Sequence, residues 1–336
     1  MKLPPGKIPV DILKEVVFKN LGAKRKNVTL GPTAGVDGAV ISAGSNSLIV
    51  SMDPITGAID KIGWLAVNVN ANDVATFGVE PAFLFSCMLL PENADEKMVE
   101  TISKQMDAAA KELGIAIVGG HCESTPGLVN PAVVGCIMGM TPKGRYVTAA
   151  GARSTNKLIL TKSAGIEGTA ILASDREQHL KSILTKKEIS DAKNFYKQIS
   201  IVQDALTAYK TGGVNAMHDP TEGGIIGGIH EMADASNLGV RIFEEKIPVK
   251  TETNKICSHF QISPLQLIAS GALLIAAETE KTHAIIENLK RRKIQASIIG
   301  EFLEDPKERV IILRNKKIKP LAKPSSDHLW TALAKQ

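Results

Sequence analysis

An α+β fold in two domains is the architecture this sequence predicts, and three observations carry it. The chain has 336 residues, 44% of them hydrophobic and 22% charged, enough for two globular domains of about 150 residues each. Short apolar runs bounded by turn residues mix with amphipathic stretches in both halves, without regular alternation. No G-x-G-x-x-G follows a strand-like run, which excludes a dinucleotide-binding sheet.

Taken in order, the first element is a helix over 11–21. There Ile12, Leu13, Val16, Val17 and Leu21 form one apolar stripe, Asp11 stands at the N-cap and Gly22 ends the pattern. Apolar runs at 38–41, 47–52, 82–90 and 132–140 read as strands. A helix is expected over 61–76 from Ile62, Leu65, Ala66, Val69 and Ala75. Another is expected over 95–113, with Met98, Val99, Ile102, Met106, Ala109 and Leu113 on its apolar face and Gly114 as its stop. In the second half a strand at 157–161 leads into a glycine-containing loop, a charged helical region extends to Lys210, and a helix starts near Pro220. Further strands are expected at 240–243, 272–277, 294–299 and 309–313. The small, polar stretch PKGRYVTAAGARST marks the boundary. The chain then divides into an N-terminal helix and arm at 1–29, one domain at 30–150 and another at 151–336.

Composition removes several function classes. The longest stretch free of Asp, Glu, Lys, Arg and His, 124–142, is broken by Pro126, Gly127, Asn130 and Pro131, so no apolar span of about 20 residues is read and no membrane partner is expected. The start MKLPPGKIPVDILKEV lacks the apolar core of a secretory signal, which predicts a cytoplasmic chain. Cys87, Cys122, Cys136 and Cys257 show no paired short spacing, so a zinc ribbon is excluded and reduced thiols are expected. The net charge of +5 is uneven: residues 1–150 carry 13 Lys/Arg against 14 Asp/Glu, and residues 151–336 carry 27 against 21, an excess of 6. Because these cations cluster in helix-like polar stretches and only 4% of residues are aromatic, they read as a solvated surface with no nucleic-acid partner.

Four segments carry residues with chemistry. Asp37 in GVDGAVI, Asp53 in SMDPITG and Asp73 in NANDVATFG are hard oxygen donors of the kind that Mg²⁺ and a polyphosphate require. The alternative is structural, with Asp37 and Asp53 as turn residues and Asp73 as a surface charge on a helix. In VGGHCESTPG, Gly119 and Gly120 would let backbone N–H groups approach a phosphate, with His121 and Glu123 pointing into the same site; an ordinary turn is the other reading. LTKSAGIEGTAIL sets Lys162 beside Gly165 and Gly168, short of a P-loop but with a basic residue for phosphate. In HDPTEGGIIGGIHEMAD, Asp219 and Glu222 make a capping-box-like helix start. Gly223, Gly224, Gly227 and Gly228 follow, each unfavourable in a helix by up to about 1 kcal/mol relative to alanine. They point to close approach by a ligand or another backbone.

In this order GVDGAVI, SMDPITG, IGWLAVNVNANDVATFGVEP, VGGHCESTPG, LTKSAGIEGTAIL, HDPTEGGIIGGIHEMA, PLQLIASGALLIA and IIGEF resemble one superfamily. It comprises aminoimidazole ribonucleotide (AIR) synthetase, selenophosphate synthetase, thiamine-monophosphate kinase and the hydrogenase-maturation protein HypE. HDPTEGG, SGALLIA and IGEF are most similar to HypE, and the opening KLPPGKIP suggests a HypE-related branch. The resemblance implies a two-domain AIR synthase-like fold, with an N-terminal mixed sheet closed into a barrel by the second copy of a homodimer, and a C-terminal α+β domain. It implies ATP and Mg²⁺, with Asp37, Asp53 and Asp73 as Mg²⁺–phosphate ligands and Asn72 beside them. Gly119, Gly120, His121 and Glu123 would line the nucleotide loop, Gly223 and Gly224 would approach the nucleotide, and His121, Lys162 and Asp219 would be the catalytic groups.

The chemistry implied is transfer or activation by the terminal phosphoryl group of ATP. The acceptor would be a small group borne by a small molecule or a protein, and a maturation partner protein would accompany a hydrogenase role. HypE-type proteins carry a carbamoyl group on a C-terminal cysteine; this sequence ends SSDHLWTALAKQ and its last cysteine is Cys257, so a separate acceptor is expected. Two other readings stay open. One is a thiamine-monophosphate kinase, against which the single acid of GVDGAVI counts; the other is a dimeric partner that binds nucleotide without catalysis.

Overall fold

A computed structural model describes residues 3, 6–57 and 59–335; Lys2, Pro4 and Pro5 of the opening KLPPGKIP lie outside them. The chain forms two compact units. The first comprises 26–31 and 37–146, the second 1–25, 32–36 and 147–336.

The chain opens, in the second unit, on α1 (Val10–Ile12), which runs into a π turn at Leu13–Val17. The helix expected over 11–21 is therefore cut short. None of its residues is buried, and Val16, Val17 and Leu21 are exposed. Without packing of the apolar stripe, so short a helix has little to sustain it.

The first unit contains β1 (Val28–Leu30), β2 (Ala39–Ala43), β3 (Asn46–Ile55), α2 (Ile62–Thr76), β4 (Pro81–Leu90), α3 (Glu96–Leu113), β5 (Ala116–Ser124) and β6 (Ala132–Pro142). Its sheet has the order β1-β2-β3-β6-β4-β5, antiparallel except for the parallel pair β4 and β5. The expected helix over 95–113 is present with both of its signals. Asp95 caps it by accepting the Met98 N–H at 2.9 Å, and Gly114 ends it in the left-handed region. α3 packs on α2, which in turn packs on β3 and β6. Every residue of α2 except Trp64 is buried, as befits a helix apolar on nearly all sides. On the sheet face away from α2, Met52, Phe83, Phe85 and Met140 are exposed, whereas their strand neighbours Ser51, Leu84 and Gly139 are buried.

The second unit continues with β7 (Lys157–Thr161), α4 (Ile166–Asp175), α5 (Glu177–Leu180), α6 (Lys186–Lys193), α7 (Val202–Thr211), β8 (Val214–His218), α8 (Gly224–Ser236), β9 (Gly239–Phe243) and α9 (Thr251–His259). It closes with β10 (Leu274–Ala277), α10 (Thr282–Arg291), β11 (Ala296–Leu303), β12 (Arg309–Ile312), β13 (Ile318–Pro320) and α11 (His328–Ala334). The sheet order is β13-β12-β9-β11-β7-β10-β8, with β12 and β9 parallel and the remaining pairs antiparallel. The strands expected in this half are all present, and β8 and β13 add to them. Among the described residues no helix is long and apolar enough to cross a membrane.

α8 is fastened to the last strands through a buried histidine. His230 Nε2 lies 3.0 Å from the Leu321 carbonyl and Nδ1 lies 3.1 Å from the Arg309 guanidinium. Asp234, one turn on, pairs with both Arg309 and Lys323. Nε2 must donate to a carbonyl while Nδ1 accepts from a cation, so the ring is neutral. Burial, and then the charge of Arg309, hold His230 below its ordinary value of 6.5. A folded-state value below the unfolded one means that the unfolded chain binds the proton more readily. Stability from this group is therefore complete above about pH 6.5 and is lost as pH falls through the folded-state value. Urea midpoints measured from pH 7.5 down to 5 are expected to fall more steeply for the native chain than for His230→Asn; parallel curves would contradict the assignment.

Candidate phosphate and metal site

The segments that carry the three acids singled out in the first half are tied together within the first unit. Asp73 lies on α2 and is only 5% exposed, so it is not the surface charge that helix periodicity alone would allow. Its Oδ2 lies 2.7 Å from the Ser51 hydroxyl on β3, and the same hydroxyl lies 2.5 Å from the Asp37 backbone carbonyl. Ser51 thus stands between two of the acid-bearing segments, sharing one proton between two acceptors. Asp53 is two residues further along β3, on the same face of the strand. Its backbone is held by Asn70 of α2, whose Oδ1 accepts the Asp53 N–H at 2.8 Å and whose Nδ2 donates to the Asp53 carbonyl at 3.1 Å. Asn72 is fully buried on the same helix, one residue before Asp73. Ser51 and Asn70 thus tie the Asp37 backbone, the Asp53 backbone and the Asp73 carboxylate to one stretch of β3 and α2, and carboxylates are the hard oxygen donors that Mg²⁺ takes.

Ser51 and Asn70 are the residues that sequence reasoning missed. A signal for Asn70 exists: three asparagines, Asn68, Asn70 and Asn72, alternate within an otherwise apolar helix, and a buried asparagine needs partners.

VGGHCESTPG departs from expectation. Its first seven residues lie not in a loop but in β5, an edge strand exposed along its whole length. The glycines serve the neighbouring strand, because Gly120 has φ +153° and a Cβ on it would stand 1.9 Å from the Ser86 carbonyl oxygen of β4. Gly120 is therefore accounted for without a phosphate, and a Cβ on Gly119 would stand 3.1 Å from the Phe85 ring of β4. His121 and Glu123 point the same way along the strand and bond each other, Nε2 to Oε2, at 3.0 Å. That hydrogen bond, then one from Thr125, holds the Glu123 carboxyl below the usual range.

Lys162 is a second correction. It has no donor left for a phosphate, since its ammonium reaches the carbonyls of Gln198, Ser200 and Gly271 at 3.1, 2.7 and 2.9 Å and pairs with Asp204 at 3.2 Å. Burial pushes its pKa down and the Asp204 charge opposes this.

The HDPTEGG segment is a third. α8 begins at Gly224 with Gly223 as its left-handed N-cap, so Asp219 and Glu222 do not form the capping box. Glu222 instead accepts the backbone N–H of Lys7 at 3.0 Å. The Gly223 N–H donates to Asp327 at 2.7 Å and the Gly224 N–H to the Thr221 carbonyl at 3.0 Å, which leaves neither for a nucleotide. A Cβ on Gly224 would stand 2.7 Å from the carbonyl oxygens of both Leu265 and Leu267. Of the two readings of these glycines, close approach by another backbone is the one realised here. Burial pushes Asp327 up to about 6, against the N–H groups of Leu329, Gly223 and Ile268 that favour its charged form. Asp219 is buried at the end of β8, next to His218, whose Nε2 meets Glu231 of α8 at 2.7 Å. Burial works against the Glu231 charge, yet the His218 hydrogen bond and nearby cations hold its pKa at about 2.

Comparison with known proteins agrees with this architecture. Residues 35–141 match the family model described as AIR synthase related protein, N-terminal domain, and residues 154–313 match that for the C-terminal domain. A hydrogenase expression/formation protein of Methanocaldococcus jannaschii is 28% identical over 318 residues, covering 91% of each chain. The carbamoyl dehydratase HypE of Rhizobium leguminosarum bv. viciae is 27% identical, covering 81% of this chain and 78% of that one. Among solved structures, a HypE–HypF complex superposes with a TM-score of 0.77 at 20% identity, over 93% of this chain and 99% of that one. HypE in complex with ATP gives 0.71 at 20% identity, over 96% of each. A ThiL protein complexed with AMPPCP and TMP gives 0.73 at 18% identity, over 96% and 99%. At these identities the structures establish the fold, two domains with mixed sheets. With the two domain models matched in sequence order, one in each half, and relatives aligned along most of its length, the chain belongs to the AIR synthase-related family.

Proposed function

We propose that this chain is an ATP- and Mg²⁺-dependent enzyme that uses the terminal phosphoryl group of ATP to phosphorylate or activate a small acceptor group. The observation that carries the reading is the Ser51 bridge between the Asp37 segment and Asp73, with Asp53 held beside it by Asn70. Relatives named carbamoyl dehydratase and a structural neighbour complexed with ATP support it. Asp37, Asp53 and Asp73 would hold Mg²⁺, with Asn72 beside them. The ion would neutralise the triphosphate and orient it, which is most of what phosphoryl transfer needs. His121, Glu123 and Asp219 remain the groups proposed to meet nucleotide or acceptor; Lys162, Gly223 and Gly224 are withdrawn from that set because their donors are committed.

The acceptor is separate from Cys136 and Cys257 in this reading. Cys257 is buried and its thiol is pushed up to about 12 by that burial, and burial raises Cys136 as well. A thiolate is the form that would accept a carbamoyl group. A panel of small acceptors and the cognate maturation partner, each incubated with ATP and Mg²⁺, is expected to give phosphate release with at least one. Binding of ATP without turnover on any of them would favour a catalytically silent nucleotide-binding partner. A thiamine-monophosphate kinase is the second reading, favoured by the ThiL neighbour; ATP-dependent conversion of thiamine monophosphate would decide for it.

A homodimer is part of the proposal. The exposed Met52, Phe83, Phe85 and Met140 lie on the sheet face away from α2, and β5 is an edge strand; exposed edges and apolar faces of this kind call for a partner. Light scattering at micromolar concentration is expected to give about 72 kDa, twice the 35.8 kDa of one chain. A monomer would remove the shared barrel.

A further inference from the structure

The strand that bears Asp53 outruns its neighbour. β2 ends opposite Val50, where Ala39 pairs with it, while β3 continues to Ile55 alongside β6. The Asp53 end of β3 thus has β6 on one side and no β2 on the other. Asn70 reaches this end from α2 and takes both backbone groups of Asp53, while its Nδ2 also donates to the Ala66 carbonyl of its own helix at 2.8 Å. Two hydrogen bonds from one amide to one residue fix that residue's place relative to the helix, and with it the direction in which its carboxylate leaves the strand.

The residue opposite Asp53 on β6 is Gly135. A Cβ there would lie 2.4 Å from Asn70 Nδ2 and 2.7 Å from its Cγ, closer than atoms that are not bonded can approach. Glycine within a strand weakens it and often marks the close approach of another group. Here the approaching group is the Asn70 amide. We propose that Asn70 is the positioning residue for Asp53 and that Gly135 is the vacancy that admits it, so that β3 and α2 present Asp53 and Asp73 in one fixed relation. This rests on the reading of Asp53 as a Mg²⁺ ligand.

The test uses the full chain and four variants: Asn70→Ala, Gly135→Ala, the double variant, and Asp53→Asn as a control on the site itself. ATP binding is measured by calorimetry in Mg²⁺ and in EDTA, and hydrogen exchange of the 51–56 peptide is measured in metal-free protein. Asn70→Ala is expected to weaken ATP binding at least tenfold in Mg²⁺ and by less than twofold in EDTA, with faster exchange in the peptide. Gly135→Ala is expected to do the same. The double variant should be no more than twofold worse than the weaker single variant, because the amide that the added methyl group would displace is already gone. Native affinity in Asn70→Ala while Asp53→Asn loses binding would overturn the positioning role and leave the site standing, as would losses that multiply in the double variant. Native affinity in Asp53→Asn would remove the site and this inference with it. If Asn70→Ala does not fold, Asn70→Ser and Gly135→Ala carry the same comparison.

Discussion

Replacing Lys162 by alanine is expected to destabilise the second unit by roughly 3–5 kcal/mol, the range for breaking a buried ion pair by removing one partner. Asp204 is 2% exposed and would lose the ammonium that now sits 3.2 Å away. The carbonyls of Gln198, Ser200 and Gly271 would lose a donor as well. These carbonyls belong to two separate stretches of chain, so the lysine works as a staple between them. Lys162→Met keeps the length of the stem and should recover little, because the loss is of charge and donors rather than of packing. Urea unfolding of the native chain and both variants measures it. A loss below about 1 kcal/mol, or a folded variant with greatly weakened ATP affinity, would return Lys162 to the phosphate.

The second large effect is expected at the acids of the first unit. Asp73→Asn and Asp53→Asn should each weaken Mg²⁺-supported ATP binding by roughly 10–100-fold, the usual range for losing a group that holds or orients a metal. Asp73 is the sharper case. The asparagine keeps an oxygen for the Ser51 hydroxyl and removes a buried negative charge, so thermal stability should hold or rise while affinity falls. A variant that loses both together would point to a structural role for Asp73.

How far the sequence can be read depends on whether a residue's partners are close along the chain. The helix over 95–113 is legible because its cap, its stop and its apolar face are all local: Asp95 to Met98, then Gly114. The acids are legible as donors, but the tie between the Asp37 segment and Asp73 depends on Ser51, which is 22 positions from Asp73. Asp73 is open to the surface reading because one polar residue in a helix normally faces water, and nothing nearby in sequence shows that α2 is covered by β3 and β6. VGGHCESTPG reads as a site loop because an edge strand exposed throughout shows no alternation of apolar and polar residues, and Gly120 answers to Ser86 on the next strand. Lys162 misleads for the same reason. Beside glycines a lysine resembles a phosphate ligand, and the carbonyls that take its donors lie 36, 38 and 109 residues away.

Titration of the native chain with ATP in Mg²⁺ and in EDTA decides whether the acid-bearing segments tied by Ser51 and Asn70 form the proposed magnesium–triphosphate site. Clustered carboxylates repel a triphosphate unless a divalent cation bridges them. Binding at least tenfold tighter in Mg²⁺ than in EDTA is the predicted result. Equal affinity in the two buffers, or no binding in either, would contradict it.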